Sequence, residues 1–227
     1  MEHFFDSREA ASVAAARHIE TALLRQLEQQ PEAAVVVGGG TSPVRCLGEL
    51  ANSDIAWGRL QVLLSDERWV PSQDEDSNEQ MIRQNLLQGK AADAHLWPMY
   101  DASASIEEQC EAQRKTIRGL QGGFACALLG MGEDGHFASL FPDAGNLADG
   151  LDIESESLCL PISTAASQHL RISLTLAALL QSQSILLLFF GDAKRSVYEH
   201  AKENPTAYPV SRLLSQQRVP VHVFWAS

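Results

Sequence analysis

This 227-residue sequence lacks several features that would place it in a common class of protein. The sequence has 17 Lys and Arg residues against 29 Asp and Glu residues, which gives a net charge of −12. Binding to nucleic-acid phosphates depends on an excess of basic residues, which this sequence does not have. The longest apolar run, Ile185–Phe190, is too short to cross a bilayer. The first residues include Glu2, Asp6 and Arg8 instead of the apolar core of a signal peptide. We therefore expect a cytoplasmic protein with neither a nucleic-acid nor a membrane partner.

The sequence also lacks the short motifs of several cofactor and enzyme classes. Its four cysteines are far apart and include no C-x-x-C pair, which predicts reduced thiols without a zinc site or disulfide; they are Cys46, Cys110, Cys126 and Cys159. The histidines show no H-E-x-x-H spacing, so no metal is expected. No Gly-Lys-Ser/Thr follows the first glycine cluster, and no G-x-S-x-G is present. These absences argue against a Walker A nucleotide site and a serine nucleophile of the α/β-hydrolase type.

Short apolar runs alternate with helical patterns along the chain. The runs that predict buried strands cover residues 33–37, 60–64, 125–129, 185–190 and 219–224. Helical patterns cover residues 8–30, 78–88, 105–119, 175–181 and 193–202, and residues 144–157 are predicted to form a loop or lid. This alternation predicts an α/β fold with a doubly wound, mostly parallel sheet and helices on both faces, Rossmann-like in type. No linker divides the chain, so we expect one domain over residues 1–227.

Four of the five predicted strands end in a polar or glycine-rich cluster. In an open parallel sheet the carboxyl ends of the strands share one edge, where ligands bind. One cluster, Gly38-Gly39-Gly40-Thr41-Ser42-Pro43, could be an ordinary glycine turn, but three glycines and two hydroxyls at a strand end favour phosphate binding. A second cluster, Asp66-Glu67-Arg68, could be a solvated turn or could deliver an arginine to the shared edge. Lys194 and Arg195 could bind a phosphate or be surface charges. His169, which is near Arg171, could contact the ligand or lie in a surface loop.

The third cluster, residues 130–142 with the sequence GMGEDGHFASLFP, allows two interpretations. Its glycines match G-x-G-x-x-G, the dinucleotide-binding fingerprint. Against that interpretation, Glu133 and Asp134 would face a pyrophosphate, and Pro142 would stop the helix that the motif requires. The alternative makes His136 a general base, because histidine titrates near neutral pH, with Asp134 or Glu133 orienting its ring. A catalytic histidine loop is the interpretation that the pattern favours.

These clusters together resemble the 6-phosphogluconolactonase branch of the glucosamine-6-phosphate isomerase/6-phosphogluconolactonase superfamily. The matching segments occur in family order over nearly the whole chain: residues 38–43, 66–71 with Ser77-Asn78, 130–142, 171–175, and Gly191 with Lys194. The isomerase branch typically has Asp-Glu-Tyr where this chain has Asp66-Glu67-Arg68. That branch also continues its Gly-His motif towards Asn-Glu-Pro, whereas Ala138-Ser139-Leu140-Phe141-Pro142 follows here. Both differences favour the lactonase branch.

The resemblance implies hydrolysis of 6-phospho-D-glucono-1,5-lactone to 6-phosphogluconate, a step of the pentose phosphate pathway, without a cofactor or a metal. His136 would activate water, Asp134 would hold its tautomer, and Arg68 would stabilise the oxyanion. The residues implied in substrate and phosphate binding are Gly39, Gly40, Thr41, Ser42, Asp66, Arg171 and Lys194. The partner expected is an anionic sugar-phosphate lactone, and the protein is expected to be a monomer or small homo-oligomer.

Two other functions stay open at this point. One is a glucosamine-6-phosphate isomerase/deaminase with the same phosphate grip. The other is a non-catalytic sugar-phosphate sensor of the kind found in some transcriptional regulators. A sensor of that kind would carry a DNA-binding segment, whereas the first 30 residues predict one helix with little basic charge.

Overall fold

The computed structural model describes residues 1–227, which form ten strands and eight α-helices. The strands are β1 (Glu2–Phe4), β2 (Ala33–Val37), β3 (Leu60–Leu64), β4 (Asp66–Arg68), β5 (His95–Trp97), β6 (Cys126–Leu129), β7 (Cys159–Ile162), β8 (Arg171–Leu174), β9 (Ile185–Phe190) and β10 (Val221–Ala226). The helices are α1 (Arg8–Gln29), α2 (Val44–Leu50), α3 (Asn78–Asn85), α4 (Ile106–Gly119), α5 (Leu147–Leu151), α6 (Leu176–Leu179), α7 (Asp192–Glu203) and α8 (Pro209–Ser215). Two short 3₁₀ helices cover Trp57–Arg59 and Gly89–Asp93. None of the helices combines the length and apolarity that a membrane span requires.

Seven strands form one parallel sheet in the order β1-β10-β9-β6-β2-β3-β5. The chain builds outward from β2 through β3 to β5, then returns to the other side of β2 with β6. The direction of winding therefore reverses between β2 and β6, and this reversal opens a crevice beyond the carboxyl ends of the two strands. The predicted mostly parallel α/β sheet is confirmed.

The apolar pattern of the sequence explains why these elements form. Every residue of β2 and β6 is buried, as expected for parallel strands covered on both faces. Helix α1 buries Ala11, Ala15, Ile19 and Leu23 at four-residue spacing, and the Ser7 side chain accepts a hydrogen bond from its first turn. Each fully buried leucine or isoleucine of this kind stabilises the fold by about 1.5–3 kcal/mol. The continuous core that results fixes the edge of the sheet on which the polar clusters lie.

A second sheet of three antiparallel strands, in the order β4-β8-β7, was not expected from the sequence. Asp66 pairs with Ser173 and Arg68 pairs with Arg171, so the charged segment, for which a solvated turn was one of two interpretations, is a short strand. Charged residues rarely indicate a strand, and the pairing partner lies about a hundred positions further along the chain. The small sheet joins two of the predicted functional clusters by backbone hydrogen bonds.

Other expectations need smaller corrections. The last strand covers Val221–Ala226 instead of 219–224, the helix predicted at 78–88 ends at Asn85, and that predicted at 175–181 shortens to Leu176–Leu179. Residues 144–157, predicted as a loop or lid, contain the helix α5. Strands β1, β5 and β7 were missed because each has only three or four residues, too few to show a period.

Candidate active site

A cleft of about 440 Å³ lies at the carboxyl edge of the parallel sheet, next to the winding reversal. All of the predicted substrate-binding residues and two of the three predicted catalytic residues line it. The lining residues are Gly38, Gly39, Gly40, Thr41, Ser42, Ser65, Asp66, Arg68, Asn78, Gly130, Met131, Gly132, His136, Ala138, Phe141, Ala166, Arg171 and Lys194. Asp134 is the one predicted site residue outside the lining, and it contacts the cleft through His136. Side chains distant in sequence thus meet at one edge of the sheet, as predicted from the shared position of the carboxyl ends of its strands.

The glycine cluster after β2 forms one wall of the cleft. The Gly38 N–H donates a hydrogen bond to the Leu128 carbonyl, which ties this loop to β6. A Cβ added at Gly39 would overlap the Asn78 amide, and Gly40 has a positive φ of 85°. Glycine is therefore favoured at the first position by the close approach of Asn78 and at the second by the backbone conformation. Thr41 and Ser42 follow with their hydroxyls, and α2 begins at Val44.

Arg68 is held in the cleft by Asn78, a residue that was not predicted as part of the site. Arg68 Nη1 donates to Asn78 Oδ1 at 2.5 Å, while Asn78 Nδ2 donates to the Asp66 carbonyl at 2.8 Å. Asn78 is 2% exposed, so its amide cannot rotate freely to other partners. The sequence carried one signal for this role, because Ser77-Asn78 is among the segments that resemble the family.

Beneath Arg68, the Glu67 carboxylate is buried and holds the strand against α3. It accepts hydrogen bonds from the backbone N–H groups of Arg68, Asn78 and Glu79 and from the Ser77 hydroxyl. Burial raises the pKa of Glu67, while these four hydrogen bonds act in the opposite direction. An acidic group at the start of α3 also interacts favourably with the helix dipole. Glu67 therefore supports the position of Arg68 from below.

Asp66 and Arg171 form a buried pair bridged by a serine. The Asp66 carboxylate accepts hydrogen bonds from the hydroxyls of Ser65 and Ser139, both at 2.6 Å. Arg171 Nη1 lies 3.1 Å from Ser139 Oγ and 3.5 Å from Asp66 Oδ2, and Arg171 Nε donates to Ser167 Oγ. Burial lowers the pKa of Arg171, and the charge of Asp66 partly offsets that effect. In this geometry the Asp66 carboxylate serves mainly to position Arg171, and a direct contact with substrate stays a prediction.

The histidine loop after β6 resolves the ambiguity between a nucleotide site and a histidine site. No helix follows Gly135, so the helix that the dinucleotide motif requires is absent from this segment. A Cβ at Gly132 would overlap the side chains of His136 and Asp134, and Gly135 has a φ of 75°. The glycines therefore allow a compact turn in which the Gly132 N–H donates to the His136 carbonyl at 2.9 Å. Their role is to place the histidine.

Asp134, and not Glu133, orients the His136 ring. His136 Nδ1 lies 2.5 Å from Asp134 Oδ1, and the His136 backbone N–H donates to the same oxygen at 3.2 Å. Glu133 is exposed and contacts neither ring nitrogen. When Nδ1 donates to a carboxylate, the neutral ring carries its lone pair on Nε2, and Nε2 has no protein partner here. This is the arrangement of a ring that can accept a proton from a molecule in the cleft.

Lys194 and Arg195, adjacent in sequence, occupy different surroundings. Lys194 lies in the first turn of α7, after Gly191 with its φ of 87°, and lines the cleft. Arg195 stacks instead on the Phe4 and Trp225 rings, at 4.8 and 4.3 Å, and is not part of the lining. His169 also lies outside the lining, where its Nε2 is 3.2 Å from Asp76 Oδ2.

The cleft concentrates positive charge in a strongly acidic chain. Its lining contains three cations, Arg68, Arg171 and Lys194, and only Arg171 is paired with a carboxylate. Nowhere in the chain do three or more His, Cys, Asp or Glu side chains converge in a way that could hold a metal ion, so no metal ligands can be named. A base, an orienting carboxylate and a cationic wall in one cleft suit an anionic substrate that is attacked by water.

Comparison with known proteins agrees with this geometry. Residues 6–225 match the sequence model of the family described as glucosamine-6-phosphate isomerases/6-phosphogluconolactonase. The 6-phosphogluconolactonase of Mesorhizobium japonicum is 35% identical over 98% of this chain and 93% of its own length. That of Caulobacter vibrioides is 37% identical over 98% and 95%. The crystal structure of a 6-phosphogluconolactonase from Shewanella baltica superimposes with a TM-score of 0.94 at 30% identity, covering 100% of this chain and 97% of that one.

Proposed function

Because this chain belongs to the glucosamine-6-phosphate isomerase/6-phosphogluconolactonase family, we propose that it hydrolyses 6-phospho-D-glucono-1,5-lactone to 6-phospho-D-gluconate. This reaction belongs to the oxidative branch of the pentose phosphate pathway, and we place it in the cytoplasm. The observation that carries the proposal is the His136–Asp134 pair, whose histidine ring lines the same cleft as three cations. A deaminase or a sensor is not favoured by any contact in this cleft.

The reaction begins with water held near His136 Nε2. As the water oxygen attacks the lactone carbonyl carbon, its proton passes to Nε2 and the ring becomes an imidazolium. Asp134 stabilises that charge through the 2.5 Å contact with Nδ1. A carbonyl in a lactone is already electrophilic, so a covalent serine or cysteine intermediate is not required.

Arg68 stabilises the tetrahedral intermediate that follows. Its guanidinium is fixed by Asn78 and carries no carboxylate partner, so its charge is available to the developing oxyanion. When the intermediate collapses, the bond between the carbonyl carbon and the ring oxygen breaks, and the imidazolium of His136 returns its proton to that oxygen. The products are the open-chain acid and an unchanged enzyme.

The phosphate at the far end of the substrate is assigned to the other residues of the cleft. Arg171 and Lys194 supply two positive charges, and Gly39 and Gly40 with the hydroxyls of Thr41 and Ser42 form the adjoining wall. Holding the phosphate there fixes the lactone ring relative to His136, which lowers the entropic part of the barrier.

The proposal is tested by initial rates of acid release from freshly generated lactone, with spontaneous hydrolysis subtracted and a chelator present. We expect enzyme-dependent hydrolysis without ammonia release from glucosamine 6-phosphate. Unphosphorylated glucono-1,5-lactone is the matched control substrate, and its kcat/KM should be lower by at least about tenfold, because it leaves the charged phosphate contacts unmade. Ammonia release without lactone hydrolysis would overturn the assignment in favour of the deaminase. Tight lactone binding without turnover would favour the sensor.

A further inference from the structure

The aromatic ring of Phe141 contacts two charged or titratable residues of the cleft at once. Its centroid lies 4.1 Å from that of the His136 imidazole, with an angle of 31° between the planes. The Arg171 guanidinium carbon lies 5.1 Å from the same centroid. Phe141 lines the cleft yet is only 5% exposed, so its ring is confined by the protein. One side chain thus touches both the base and a phosphate-site cation.

The backbone around Phe141 shows that its place is specified locally. Ala138 has a positive φ of 48°, the only non-glycine residue in the chain that does. This conformation costs energy for a residue with a Cβ, and it turns the chain tightly after His136. The turn is closed by hydrogen bonds from the Leu140 N–H to the Phe137 carbonyl and from the Phe141 N–H to the Ser139 carbonyl. The turn therefore folds the chain back so that the Phe141 ring lies against the histidine.

From this geometry we infer that Phe141 is a positioning residue for the hydrolysis, one that holds the His136 ring and stabilises the positive charge it gains during the reaction. The inference rests on the function proposed above. Asp134 fixes His136 at one edge only, through Nδ1, which leaves rotation about that hydrogen bond possible. The Phe141 ring, packed against the imidazole at 4.1 Å with a tilt of 31°, restricts that rotation and so limits the directions in which Nε2 can point.

The quadrupole of the Phe141 ring also acts electrostatically on His136. The face of a phenyl ring attracts a cation within about 6 Å, and the attraction is stronger where the pair is desolvated. The neutral imidazole gains little from this attraction and the imidazolium gains more, so the ring favours the state formed when water is deprotonated. The Arg171 guanidinium, whose own charge is paired with Asp66, contacts the same ring.

The test replaces Phe141 with phenylalanines carrying one, three or five ring fluorines, which weaken the quadrupole while closely preserving the shape of the ring. We expect kcat to fall progressively, by about tenfold at five fluorines, with KM changed by less than about threefold. The same series at Phe137 is the matched control. Phe137 is 0% exposed in the same loop but neither lines the cleft nor stacks on His136, so its fluorination should leave kcat unchanged.

A second readout needs no substrate. The Cε1–H NMR signal of His136 should titrate at progressively lower pH along the Phe141 series, by roughly 0.5–1 pH unit in all. The charged groups that face this region stay the same throughout: Asp134 from the loop, Asp66 and Arg68 from β4, Arg171 from β8 and Lys194 from α7.

The outcomes separate the two proposals. If the wild-type protein does not hydrolyse the lactone, the proposed function fails and the NMR series alone decides the role of Phe141. A flat kcat series, or one in which only KM changes, overturns the inference in an active enzyme. An NMR midpoint that does not move along the series overturns it in either case.

Discussion

His136 and a group of three other histidines show how the surroundings of a side chain decide what it can do. His136 has a carboxylate oxygen 2.5 Å from one ring nitrogen, and its other nitrogen is open to a cleft. His3, His18 and His222 meet instead between β1, α1 and β10, where they contact one another, Phe224 and Ser184. His3 Nε2 lies 3.4 Å from His222 Nδ1, and the His18 and His222 rings are 4.3 Å apart.

The difference lies in which charge state each environment favours. Asp134 stabilises a protonated His136 by a charge-assisted hydrogen bond. In the three-histidine group no carboxylate is in contact, and burial lowers the pKa of His18 and brings that of His222 to about 4. Neighbouring histidines, Arg25 beside His18 and the terminal ammonium beside His222 act in the same direction. A histidine with a carboxylate can cycle a proton, whereas the surroundings of His18 and His222 favour the neutral ring.

The largest expected effect comes from removing the cycling ring. His136→Asn should lower kcat by roughly 10²–10⁴ with little change in the unfolding free energy, because the proton acceptor is lost and the loop glycines remain. Steady-state lactone hydrolysis and a urea unfolding curve measure the two quantities. His222→Asn is the matched control, and its kcat should equal that of the wild type. Near-normal turnover of His136→Asn would remove the general-base assignment.

Removing only the carboxylate should have a smaller effect. Asp134→Asn should lower kcat by about tenfold to a hundredfold, because a hydrogen bond to a charged group contributes about 1.5–3 kcal/mol. Glu133→Gln is the control, since Glu133 is the exposed neighbour that makes no contact with the ring. Equal losses of kcat in the two variants would mean that the negative charge of the loop matters and the specific contact with the ring does not. Both kcat values are measured at saturating lactone.

The sequence predicted the chemistry of the cleft better than the contacts within it. Residues 130–136 sit directly after a buried strand, so their place at the sheet edge follows from strand order alone. Asn78 was missed because its role depends on the distance between α3 and β4, which no local pattern encodes. Similarly, the pairing of Asp66 with Ser139 and Arg171, 73 and 105 positions away, could not be predicted from any local pattern. Periodicity predicts long elements, and tertiary contacts decide the rest.

Two members of the three-histidine group, His18 and His222, should make the stability of the fold depend on pH. Because the pKa of His222 is lower in the folded protein than the ordinary 6.5, the unfolded chain binds more protons between pH 6.5 and about 4. The unfolding free energy should therefore decrease as the pH is lowered through that window, by about 1–2 kcal/mol after allowance for the partial exposure of His222. Urea midpoints at pH 7.5, 6.5, 5.5 and 5.0 measure the slope.

His222→Gln should remove much of that slope, and His136→Asn should retain it. The window lies mostly above the range in which carboxylates titrate, so the two kinds of group can be separated. If the slope persists unchanged in His222→Gln, the assignment of pH sensitivity to this group is wrong.

The smallest expected effect concerns His169, which tests whether a carboxylate partner is enough to make a histidine catalytic. Its Nε2 lies 3.2 Å from Asp76 Oδ2, but both side chains are substantially exposed and neither lines the cleft. An exposed ion pair contributes about 0.2–1 kcal/mol, so His169→Gln should change kcat/KM by less than about fivefold. Any change should fall on KM, because the His169 carbonyl accepts a hydrogen bond from Ser167, whose hydroxyl in turn binds Arg171. Asp76→Asn and the double variant complete a cycle in which the two losses should not add. A loss of kcat as large as that of His136→Asn would show that the carboxylate, and not access to the cleft, distinguishes the histidines of this protein.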